Sequence, residues 1–160
     1  MSRVLPLLLA AGLATAGSNA AHAVDGAVPF TSAVTSVCAI TIGTPGVMAT
    51  SADSTSMDSA NGTSGTAVVV ATGGNFEMSA IAPTDFTVKP PTYTGSTSFT
   101  ATYSSNGATV LGSGAGGVAR DLLPGVTTAT VDLKADSDAG PFHAGAYTAI
   151  VTLRCEADGS

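Results

Sequence analysis

Tyr147-Thr148-Ala149-Ile150-Val151-Thr152-Leu153-Arg154-Cys155 repeats with a period of two. Tyr147, Ala149, Val151, Leu153 and Cys155 share one phase, and the residues between them take the other. Successive side chains of a strand point to opposite faces, so this phasing sets the first group toward a core. The same alternation recurs upstream. In residues 128–135, Ala129, Val131 and Leu133 point inward while Thr130, Asp132 and Lys134 point out. In residues 97–103, Phe99, Ala101 and Tyr103 oppose Ser98, Thr100 and Thr102. Phe76, Met78 and Ala80 alternate with Glu77 and Ser79. Nearer the N-terminus, Cys38, Ile40 and Ile42 share a face, with Thr35 and Thr41 on the other. A helical period of 3.6 is missing from the region after the leader.

Between these runs stand breakers. Gly43-Thr44-Pro45-Gly46 ends the first run, and Val47-Met48-Ala49 resumes it. Residues 50–65 are Ser, Asp, Asn and Gly with little apolar content, and read as a loop. Residues 66–72 hold Val68-Val69-Val70, apolar on both faces as in a central strand. Gly73-Gly74-Asn75 turns the chain, and a short strand holds Phe86 and Val88. Ser105-Asn106-Gly107 is a turn signal. Residues 112–117 read as an irregular glycine-rich connection and 136–145 as a loop. The sum is an all-β protein, an antiparallel immunoglobulin-like β-sandwich of about seven strands.

The N-terminus carries an export signal: Arg3, an apolar run over 4–13, and the small-x-small site Ala21-His22-Ala23. Residues 1–23 are therefore expected to be a signal peptide, 24–33 an N-terminal tail, 34–156 the sandwich and 157–160 a polar stub. Cleavage leaves about 137 of the 160 residues, a single domain able to bury a core. The formal net charge of −6 becomes one unit more negative once Arg3 is lost. Lys89, Arg120, Lys134 and Arg154 are scattered, which argues against nucleic acid or anionic lipid as partners.

Cys38 and Cys155 both fall in inward strand phases. In an oxidising compartment an even pair bridges, joining the first strand to the last. The alternative is two buried thiols.

Catalytic and metal chemistry find little purchase. One histidine, His143, remains after cleavage, which excludes the usual blue-copper set and a specific Ser/His/Asp triad. Asp53, Asp58 and Asn61 lack the spacing of a calcium loop. Asp85, Asp121 and Asp132 read as ordinary surface acids, and the glycines of 114–117 lack what a phosphate loop needs. The chain is expected to be no enzyme and to use no cofactor.

The C-terminal run from Pro141 carries Gly145, Tyr147, Val151 and Leu153 in the pattern Pro-x-Gly-x-Tyr-x-x-x-Val-x-Val. With the N-terminal Cys38-x-Ile40-x-Ile42, it resembles the strands at the two ends of chaperone–usher fimbrial subunits and their spore coat protein U-like relatives. The likeness covers both ends of the chain and the general strand spacing, not the middle. The resemblance implies a sandwich lacking its seventh strand, a gap filled first by a periplasmic chaperone and then by a neighbour's tail. It implies Val28 and Phe30 as donor-strand residues, and Ile40, Ile42, Tyr147, Val151 and Leu153 as the walls of an acceptor groove. The partners would be neighbouring subunits, the chaperone and an outer-membrane usher. The site of action would be the periplasm and then the cell surface, in adhesion or biofilm formation. In such subunits the bridge usually lies nearer the N-terminal half than Cys38–Cys155 does. Two other readings stand beside these. The tail, with Pro29 in it, could simply extend the first strand, and the whole could be a self-complete secreted monomer that binds a glycan or protein.

Overall fold

The computed structural model describes residues 27–158; the expected signal peptide, Val24 to Gly26 of the expected tail, and residues 159–160 lie outside them. Among the described residues there are ten strands and no helix: β1 (Val37–Ile42), β2 (Val47–Thr50), β3 (Ser56–Thr63), β4 (Gly65–Thr72), β5 (Phe76–Ile81), β6 (Thr97–Gly107), β7 (Leu111–Ala115), β8 (Arg120–Leu122), β9 (Gly125–Ser137) and β10 (Thr152–Ala157). All pair antiparallel. The residues from 33 onward form one body, and residues 27–32 belong to a separate unit without regular structure.

The larger sheet is organised on β9. One edge of β9 pairs along its length with β6, which carries β7. The other edge pairs first with β4, from Gly125↔Ala71 to Val131↔Gly65, and then with β3, from Lys134↔Asp58 to Asp136↔Ser56. β3 and β4 are thus one interrupted strand, and residues 59–64 stand opposite only Asp132 and Leu133. The excess bulges outward and is pinned by a carboxylate. Ser59 Oγ and Ser64 Oγ donate to Asp132 Oδ1 at 2.9 and 2.6 Å, and the Leu133 amide donates to Ser59 Oγ. β1 and β2 repeat the interruption at the sheet's edge, β1 along β4 and β2 along β3. At the crossing, Gly62 lies so close to the Val47 carbonyl that a Cβ would collide with it.

The smaller sheet is β10-β5-β8. The two sheets enclose a core of Val69, Met78, Ala80, Tyr103, Leu122 and Ala129, flanked by Cys38, Ile40, Val151, Leu153 and Cys155. The Tyr103 hydroxyl is placed by the Met78 and Val118 carbonyls at 2.6 and 2.8 Å, so a buried polar group is satisfied across the layers. A second cluster holds Met57, Phe86, Tyr93, Ala135 and Phe142, with Met48, Phe99, Tyr147 and Ala149 against it.

The all-β sandwich-like class agrees with the expectation, while several element boundaries differ. The loop expected over 50–65 contains β3, where Met57 and Ser59 are buried. Ser59 can be buried because Asp132 and the Leu133 amide satisfy its hydroxyl. The irregular connection expected over 112–117 begins as β7, whose glycines leave backbone pairing with β6 intact. The turn read at Ser105-Asn106-Gly107 lies inside β6, and Gly107 ends it with φ +110°. Phe86 and Val88 form no strand, only a bridge from Val88 to Thr148. The closing strand is shorter at its start and longer at its end than expected. Residues 147–151 carry only that bridge, and β10 takes Ala157 from the expected stub and pairs it with Phe76. β4 is flanked by two strands, yet Val68 and Val70 stay exposed on the outer face.

Candidate functional site

Cys38 and Cys155 are joined by a disulfide with Cα atoms 6.3 Å apart. Cys38 sits opposite Ala71 in the larger sheet, and Cys155 opposite Met78 in the smaller one. The bridge therefore ties the edge strand of one sheet to the edge strand of the other. Among the described residues, neither β1 nor β10 has a ladder partner on its second edge.

Away from the bridge the two edges diverge. Between them lies a cavity of about 440 Å³. Ile42, Pro45 and Met48 form one wall and Ala149, Val151 and Leu153 the other. Its floor is Ala67, Val131 and Leu133, residues of the sandwich interior. A second cavity, of about 550 Å³, continues from it. The two share Gly46, Met48, Thr148 and Ala149, so they form one groove. The second reaches Met57, Phe142, His143 and Tyr147.

Aromatic side chains gather at that far end. Phe86 meets Phe99, Tyr147 and Phe142 edge-on at centroid distances of 4.8, 4.9 and 5.9 Å. Tyr93 packs on Phe142 at 5.2 Å, and its hydroxyl lies 3.0 Å from the Ser96 carbonyl and 2.9 Å from Ser137 Oγ. Such pairs prefer tilted and edge-to-face geometry because of the ring quadrupole. The Tyr147 hydroxyl donates to the His143 carbonyl at 3.0 Å, and burial pushes its pKa up. The wall from residue 142 to 151 is held from behind: the Thr87 amide donates to the Thr148 carbonyl at 2.7 Å, and the Thr148 amide to the Val88 carbonyl at 2.9 Å. Gly145 packs on Pro90 with φ +150°.

Of the five residues expected as groove walls, Ile42, Val151 and Leu153 line the first cavity and Tyr147 the second. Ile40 instead packs against the interior core. Val28 and Phe30 are 72 % and 94 % exposed on non-regular backbone. Residues 27–36 form no strand, so β1 does not run back into the tail. Met48, Phe142, Val131 and Leu133 also shape the groove and were not singled out for it. Val131 and Leu133 carried the inward phase that marks its floor. Phe142, after Pro141 in a loop, carried no periodic signal.

Among the described residues, no group of His, Cys, Asp and Glu gathers as a metal site. His143 stands against Tyr93, with ring centroids 5.9 Å apart. Comparison with family models, curated proteins and solved structures finds no match.

Proposed function

We propose that this chain is a secreted structural subunit of a bacterial surface fibre, joined to its neighbours by donated strands, and serving adhesion or biofilm formation. The observation that carries this reading is the open groove between β1–β2 and residues 147–155. Among the described residues, two sheet edges face each other without a strand between them, and the floor of the gap is sandwich interior. An extended segment laid there would gain backbone hydrogen bonds along an unpaired edge and would bury alternate side chains. The N-terminal tail supplies such side chains. Burying Val28 and Phe30 would stabilise the assembly by about 1.5–3 kcal/mol each. A periplasmic chaperone would cover the groove before assembly and an outer-membrane usher would order it. The protein is then a building element rather than an enzyme.

The test compares mature protein with a variant lacking residues 24–33. Full-length protein is expected to form higher-order species that survive mild denaturation on a gel, and the deletion variant to lose them. A full-length protein that remains a stable monomer without a chaperone sinks the proposal and fits a self-complete sandwich that binds a glycan or protein.

A further inference from the structure

We infer that the root of the tail sits in a charge-free apolar face, and that the copy receiving the tail packs against that face. This rests on the strand-donation reading above and adds a second contact to it.

The face is assembled from segments far apart in the chain. Val34 lies against Gly73, where a Cβ would meet Val34 Cγ1 at 2.9 Å. The Ser36 hydroxyl donates to the Gly73 carbonyl at 2.6 Å, and the Thr72 hydroxyl to the Thr35 carbonyl at 3.1 Å. Val37 stands opposite Thr72, and Val70 opposite Val126. The Ala108 amide donates to the Val126 carbonyl at 2.9 Å, which brings up the turn that carries Val110. The Leu123 amide donates to Thr109 Oγ1 of the same turn at 2.8 Å. Val34, Val37, Val70, Val110, Leu123 and Val126 thus occupy adjoining segments, and each is between 36 % and 75 % exposed. Exposed aliphatic residues scattered singly are ordinary; six on adjoining segments mark an interaction site. Residues 33–37, 70–73, 108–110 and 123–126 hold no Asp, Glu, Lys, Arg or His. A chain of formal net charge −6 repels its own copies, and least over ground of this kind.

Size and tether name the occupant. An apolar patch of this order exposes about 300–600 Å², against about 800 Å² per partner in a stable complex. It is too small to hold a partner alone and suits one already tethered. Phe30 is four residues before Val34, so their Cα atoms are at most about 14 Å apart. The hydrogen bonds at Thr35 and Ser36 fix where that tether starts. A copy whose groove holds Phe30 therefore stands over the root of the tail and covers the face. Burial of these side chains then adds to what the strand contributes.

The experiment measures association of mature protein by sedimentation velocity over a concentration series. Leu123→Lys and Val110→Lys change exposed residues outside the strands, and Val118→Lys makes the same change at the far end of β7. A variant lacking residues 24–33 completes the set, and circular dichroism checks that each remains folded. Each new lysine lowers the net negative charge, so a purely electrostatic effect would strengthen association. Leu123→Lys and Val110→Lys are expected to weaken it by about tenfold or more, because contact would bury an unpaired charge. Val118→Lys should leave it unchanged, and the deletion should abolish it. Native-like association of both Leu123→Lys and Val110→Lys, with the deletion variant monomeric, overturns the docking face and leaves strand donation standing. Equal weakening by Val118→Lys also overturns the face, since the effect is then not local to it. Native-like association of the deletion variant overturns both, because no tether then holds the partner.

Discussion

Removing the bridge is the sharpest perturbation of this architecture. In the double variant Cys38→Ala/Cys155→Ala the folded chain loses one contact, but the unfolded chain loses a constraint across 117 residues. The chain-entropy relation puts that loss at about 4.9 kcal/mol at 25 °C. For a domain of this size each kcal/mol moves the melting temperature by roughly 3–5 °C, so the midpoint should fall by roughly 15–25 °C. Marginal stabilities of about 5–15 kcal/mol make this a large fraction of the whole. Urea unfolding followed by circular dichroism, with the native disulfide intact and with both cysteines replaced, measures it directly. Because the effect acts mainly through the unfolded ensemble, the denaturant slope should rise as well: an uncrosslinked chain exposes more surface. Hydrogen exchange should localise the folded-state part, with faster exchange at the amides of β10, which among the described residues forms a ladder with β5 alone. A stability loss below about 1 kcal/mol with an unchanged slope would refute the reasoning. It would mean that the unfolded chain is already held compact, or that the bridge is strained.

Two further outcomes follow from single side chains. Asp132→Ala removes the acceptor of both Ser59 and Ser64 and leaves a buried hydroxyl short of a partner, so stability should drop by about 2–3 kcal/mol, with Ser59→Ala/Asp132→Ala losing less than the two single changes added; additive losses in a urea double-mutant cycle would contradict the pinned bulge. In the turn between β2 and β3, the Ser51 hydroxyl and the Thr55 amide hold Asp53 at a pKa of about 2 against an ordinary 3.8. A depressed carboxylate supports the fold above the unfolded value and loses that support as pH falls through the folded one. Carboxyl NMR titration should therefore place the Asp53 midpoint near 2, and the turn's ordering should fade below about pH 4; a midpoint near 3.8 would show that the turn does not hold the carboxylate.

What the sequence disclosed was phase, and what it hid was continuity. Ala129 and Leu133 could be assigned inward from alternation alone, because β9 is paired on both edges and covered on one face. Cys38 and Cys155 were legible for the same reason. β3 was not, since its buried positions are one methionine and one serine, and a buried serine looks like a loop residue until its hydrogen-bond partners 73 and 74 positions away are known. β7 escaped because a strand made largely of Gly and Ser pairs through backbone alone. The closing run misled in the opposite sense. Residues 147–151 alternate as a strand does, yet only Thr148 forms a bridge. Its phase correctly separates Tyr147, Ala149 and Val151 from exposed Ile150, while the ladder that would make it a strand is absent. Among the groove walls the pattern could not distinguish Ile40 from Ile42, which share a phase. Only the divergence of the two edges turns Ile42 into the opening and leaves Ile40 in the core.

The two ends of the groove are held by different physics, and that division explains where the few large side chains went. Near the bridge, a covalent tie fixes the sheet edges, and the packing beneath is mostly small or aliphatic: Val69, Ala80, Leu122 and Ala129 around Met78 and Tyr103. Toward the other end nothing covalent joins the layers, and the wall from residue 142 to 151 lacks a continuous ladder. There the chain places three of its five phenylalanines and two of its three tyrosines, with Phe99, Phe142 and Tyr147 edge to face on Phe86 and Tyr93 tilted on Phe142. Large rings supply contact area with few rotatable bonds, which suits a wall that must keep its shape beside an open cavity. Exchanging the two devices would give a different molecule. A bridge at the aromatic end would close the larger of the two cavities. An aromatic cluster at Cys38 and Cys155 would leave the narrow end free to open. The order found is a covalent tie at one end and packed rings beside an open cavity at the other.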